Sequence, residues 1–86
     1  MRITFRTKDD SLNSIEIDRI AVEKVTDAKE DEYIIKANRN SGMIVSSDKR
    51  FHKREEADRY VKAVSETGSF DFDKDDIRFK IISYGI

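Results

Sequence analysis

At 86 residues, 41% charged and 37% apolar, the chain has room for one core, and its apolar residues must be patterned rather than scattered if it is to fold. No cysteine occurs, which removes disulfides, thiolate metal sites and cysteine nucleophiles and suits a reducing, cytoplasmic setting; no apolar run approaches the roughly 20 residues of a membrane span. The net charge of −1 divides into a basic middle (residues 36–62, net +4) between acidic ends (1–35, net −3; 63–86, net −2), so only a local patch is available for phosphates.

Arg2 to Thr7 alternates, with Ile3 and Phe5 on one face and Arg2, Thr4 and Arg6 on the other, the period of a half-buried strand. KDDSLNS then supplies turn formers. From Ile15 to Val25 the residues are rich in β-branched side chains, but Ile15 and Ile17 share one parity while Ile20 and Val22 share the other. A strand bulged near Asp18-Arg19 reconciles them, and a helix is the competing reading. After the acidic connection TDAKEDE, Tyr33, Ile35 and Ala37 mark a central strand. Asn38 to Gly42 forms a turn, and Met43 to Val45 begins the return strand of a hairpin.

One stretch has clear helical periodicity. Ala57, Tyr60, Val61 and Val64 lie at i, i+3, i+4 and i+7, which predicts a helix over 53–66, with Lys53 a poor N-cap and Gly68 placed to end it. Phe70 and Phe72 follow among four aspartates and are expected to tuck against sheet or helix. Ile77, Phe79 and Ile81 alternate as a last strand. The expected fold is a single α+β domain, residues 1–86, with an antiparallel sheet of four to five strands (2–7, 15–25, 32–38, 43–47, 77–83) and one helix packed on one face. The expected core is Ile3, Phe5, Ile17, Ile20, Val22, Ile35, Ala37, Ile44, Ala57, Tyr60, Val61, Val64, Phe79 and Ile81.

Two acidic clusters, Asp27, Glu30, Asp31 and Glu32 and then Asp71, Asp73, Asp75 and Asp76, offer carboxylates to a basic partner. The alternation Asp71-x-Asp73-x-Asp75 copies the start of a calcium loop, but Asp76 stands where glycine must bend it and Ile82 where a bidentate glutamate is required, so no metal is expected. The densest positive cluster, Lys49, Arg50, Lys53 and Arg54, is interleaved with Phe51 and suits a nucleic-acid contact, although Glu55, Glu56 and Asp58 follow at once. The lone His52 has no partners for a triad or a zinc site. With no catalytic motif and three glycines, the residues point to a non-catalytic binding module without cofactors.

In size, layout and charge the chain resembles small phage and prophage anti-defence proteins, anti-CRISPR inhibitors among them. The features that carry the likeness are the hairpin EDEYIIKANRNSGMIV, the helix KREEADRYVKAV and the two acidic loops. The resemblance implies an inhibitor that covers a basic surface on a host or phage protein through those loops. A net charge of −1 sets it apart from strongly acidic phosphate mimics and favours ordinary surface blocking. The alternative is weak nucleic-acid binding through the four cations. A monomer or a homodimer, pairing through a sheet edge, fits either reading.

Overall fold

The computed structural model describes residues 1–85. It is α+β: seven strands in two sheets with one helix packed against them. The chain runs β1 (Arg2–Arg6), β2 (Leu12–Glu16), β3 (Arg19–Lys24), β4 (Tyr33–Asn38), β5 (Met43–Ser47), α1 (Arg54–Thr67), β6 (Ser69–Asp71), a 3-10 turn (Phe72–Asp75) and β7 (Phe79–Tyr84).

The stretch 15–25 does not form one bulged strand. It breaks at Ile17-Asp18 and leaves one sheet for the other, so the parity switch between Ile17 and Ile20 is a corner rather than a bulge. Ile17 is buried at that corner, with its N–H on the Met1 carbonyl at 2.7 Å. Asp18 binds across to the neighbouring hairpin: its N–H meets the Asn38 carbonyl at 2.9 Å and its carboxylate takes the Asn40 N–H at 2.7 Å. The first sheet is therefore β2-β1-β6 and the second β3-β4-β5-β7, all antiparallel except β1 and β6. Between the two strands of that parallel pair the chain runs through β2 to β5 and α1. The pairing sets Ile3 opposite Phe70.

In β5 the expected core residue Ile44 is half-buried, and Val45 is the fully buried one. A register shift against β7 falls between them, with Val45 opposite Ile81 and Ile44 opposite Ser83. Ile20, Val22, Tyr60, Val61 and Ile81 are half-buried around the core rather than at its centre. Phe51, Phe72 and Ile77 occupy that centre instead, with Ile3, Phe5, Ile35, Ala57, Val64 and Phe79.

The helix forms on its apolar stripe: Ala57 and Val64 are buried, and Tyr60 and Val61 pack against the core beside them. Lys53 at the N-cap makes no side-chain bond. At the other end Gly68 takes a left-handed φ of 80° and donates its N–H to the Val64 carbonyl. That conformation favours glycine.

One buried polar side chain substitutes for a sheet bond. The Ser47 hydroxyl accepts the Ile35 N–H at 3.0 Å and donates to the Lys49 carbonyl at 3.0 Å. Ser47→Ala leaves that buried N–H unpaired and is expected to lower stability by about 1–3 kcal/mol. Chemical denaturation measures it; a change within about 0.3 kcal/mol would mean that the hydroxyl is replaceable.

Candidate functional site: an aromatic groove with a charged rim

Where strand gives way to helix, Phe51 is held by a two-bond antiparallel bridge to Tyr33, each N–H meeting the other's carbonyl at 2.8 Å. This fixes the Phe51 ring against the Tyr60 ring of the helix, centroids 5.9 Å apart. Tyr60 in turn meets Phe70 of β6 edge-on at 5.5 Å and Phe72 at 5.7 Å. Phe72 is sealed in the core and Phe51 is buried with only its edge reaching the surface, whereas Tyr60 and Phe70 are half-buried. The aromatic cluster thus has one open side.

That side is a groove of about 450 Å³ between α1, β6 and the 3-10 turn, with Phe51, Tyr60 and Phe70 as its floor. Lys49, Arg59, Glu56 and Asp75 stand around it. A shallower depression of about 710 Å³ continues past Ala63, Phe70 and Asp75 to Thr4 and Lys74. Among the described residues neither Glu56 nor Asp75 forms an ion pair. The Lys49 ammonium lies 5.4 Å above the Phe51 ring, a cation–π distance.

Burial, reinforced by the Asp75 carboxylate beside it, pushes the Tyr60 phenol above its ordinary value. The neutral phenol is therefore preferred in the folded state. Stability from this preference is complete below about pH 10, where the unfolded phenol is also neutral, and is lost as pH rises through the ionisation. Denaturation midpoints are expected to fall more steeply above pH 10 for the unmodified chain than for Tyr60→Phe; parallel curves would show that the phenol is free.

The two acidic loops do not merge. Glu32 of the first is bound to Arg50 at 3.1 Å, while Asp75 of the second lines the groove together with Lys49. Asp31 is paired with Lys24 at 3.2 Å, and Asp73 with Arg6 at 3.2 Å. Asp71 accepts the Asp73 N–H at 3.0 Å and so caps the 3-10 turn, which Asp76 ends in a left-handed conformation. This turn, rather than a cation loop, is what the aspartate alternation builds; among the described residues no three acidic or histidine side chains are grouped as metal ligands. Asp27 and Glu30 are exposed.

The basic cluster is likewise divided. Lys49 is on its ring and Arg50 on Glu32, while Arg54 pairs with Asp58 at 3.7 Å and Lys53 sits at the helix start beside exposed His52. Reasoning from sequence missed Phe70, Glu56 and Arg59 as parts of one site, because three separate elements contribute its floor. No known protein family, curated protein or solved structure matches the chain. Among the described residues, no helix is long and apolar enough to cross a membrane.

Proposed function

We propose that this chain is a non-catalytic protein-binding module whose contact surface is centred on the Phe51–Tyr60–Phe70 groove. The observation that carries the proposal is the half-buried aromatic pair Tyr60 and Phe70 ringed by charge, with Glu56 and Asp75 at the rim in no ion pair among the described residues. A rigid aromatic centre inside a polar rim is the anatomy of protein interfaces, where tyrosine is a frequent anchor. Carboxylates at the rim select basic side chains and speed encounter with them. The partner is accordingly a protein with a basic surface. Asp75 and Asp76 carry that contact with Glu56, and Asp27 and Glu30 extend it beyond the 49–51 segment. The size, layout and charge shared with phage anti-defence proteins suggest that covering this surface inhibits a cytoplasmic host defence nuclease or another host protein.

Capture from nuclease-treated lysate tests the proposal. The unmodified chain should retain a discrete protein. Glu56→Lys with Asp75→Lys should reduce its retention at least about tenfold, while Lys53→Glu with Arg54→Glu should leave it within about twofold. Circular dichroism would confirm that both variants fold. Capture abolished by nuclease, or lost only when the cations are reversed, would overturn the proposal in favour of nucleic-acid binding through Lys49, Arg50, Lys53 and Arg54.

A further inference from the structure

The second sheet ends on β7, which pairs with β5 on one side and with no strand among the described residues on the other. Of the other edges, β3 has α1 against it, β6 has three residues, and β2 has five, ending on Glu16 in an ion pair with Arg2 at 3.1 Å. β7 has six residues and a single charge, Lys80. It exposes Ile82 (54%) and Tyr84 (78%). A long edge of this kind is a template for another strand.

The ends of β7 are fixed. Before it, the Arg78 guanidinium binds the Thr7 carbonyl at 2.8 Å and the Asp10 carboxylate at 2.6 Å, which draws the β1–β2 turn over the start of the strand. After it, Gly85 turns with φ 87° hard against the Ser41–Met43 backbone, where a Cβ would come within 2.8 Å of the Ser41 carbonyl oxygen. The stretch left open is centred on Ile82, which the register shift leaves with no residue opposite it on β5.

We infer that β7 is a homodimerisation edge, with two copies pairing antiparallel about a twofold axis at Ile82. The sequence KIISY is self-complementary about that residue. Ile82 meets Ile82, and on both sides Lys80 lies opposite the partner's Tyr84, so each cation faces an aromatic ring and none faces another cation. A twofold contact of this kind closes on itself. The bulge at Ile82 increases the local twist and confines pairing to the few residues around it, giving a weak dimer rather than an extended sheet. The interface lies at the opposite edge of the second sheet from β3, where the helix packs, and is distinct from the groove.

Because the chain has no cysteine, a single introduced one reports this geometry. Directly opposed residues in antiparallel strands have Cα atoms about 4.5–5.5 Å apart, within the about 4.4–6.8 Å that a disulfide spans. On oxidation Ile82→Cys should form a covalent dimer, whereas Leu12→Cys, at a site exposed to a similar 57%, should not. Sedimentation of the unmodified chain from about 1 µM to about 1 mM should show a concentration-dependent dimer. Ile82→Lys, which opposes two like charges, should raise its dissociation constant at least about tenfold, and Tyr84→Ser should weaken it with no change in melting temperature at concentrations where both chains are monomeric. A monomer throughout this range, a dimer indifferent to both substitutions, or equal cross-linking of the two cysteines would overturn the inference.

Discussion

Phe72→Ala is expected to remove about 3–5 kcal/mol of folding free energy, the cost of emptying a buried aromatic site. A domain of this length has roughly 4–13 kcal/mol in total, so the variant should be marginally folded at best. Phe72 is fully buried and touches rings on three elements: Phe70 at 4.8 Å, Phe79 at 4.8 Å and Tyr60 at 5.7 Å. Phe79 in turn stacks on Phe5 of β1 at 5.1 Å. The ring therefore links the two sheets through the helix side of the core, and its loss affects all three walls. Denaturant unfolding followed by tryptophan-free far-UV dichroism measures the change. A loss below about 1 kcal/mol would mean that neighbouring rings close the void, and the described packing would then be wrong.

Val64→Asp should unfold the chain outright. Val64 is fully buried on the helix face turned to the sheets, so the carboxylate would be placed where it has neither water nor a cation, a cost of several kcal/mol or protonation of the group. Val61→Asp belongs to the same stripe but to a half-buried site, and should destabilise without abolishing folding because its carboxylate reaches solvent. A thermal melt of both variants orders them. If Val61→Asp proved the more damaging, the helix would be rotated relative to the face described.

That same stripe explains how much of the fold could be read in the residues. Ala57, Tyr60, Val61 and Val64 follow the 3.6-residue period whatever surrounds them, and the structure packs the helix on them. The hairpin of β4 and β5 was equally local: Asn38 to Gly42 supplies its turn, closed by the Arg39 N–H on the Met43 carbonyl at 2.9 Å with Gly42 at φ 104°. The division into two sheets was not local. A change of parity between Ile17 and Ile20 has the same signature in a bulged strand and in a corner, and only pairing with distant residues, Met1 and Asn38, distinguishes them. β6 was hidden for a related reason. Three residues, one of them the Asp71 cap, hold no periodicity, and their partner β1 is at the far end of the chain.

The acidic loops were visible as composition but not as chemistry. Asp73 neutralises Arg6 and Glu32 neutralises Arg50, while Asp71 satisfies a backbone N–H; each carries out a task inside the fold. Exposed ion pairs of this kind contribute little stability, about 0–1 kcal/mol each, but they remove charge from any surface offered to a partner. The groove was invisible because Phe51, Tyr60 and Phe70 share no local periodicity, being nine and ten residues apart on the β5–α1 connection, α1 and β6, and each on its own reads as a core residue. Tyr60 is both: its ring packs against Phe72 while its phenol lies beside Asp75 at the groove wall.

A calorimetric titration of the captured partner with the unmodified chain and with the Glu56→Lys, Asp75→Lys variant tests the groove most directly. A saturable one-site isotherm is expected for the unmodified chain, with affinity lower by at least about tenfold, or roughly 1.4 kcal/mol, for the variant, and the difference should shrink as salt is raised. Equal affinities for the two proteins at low salt would place the contact elsewhere on the molecule and contradict the function proposed for this groove.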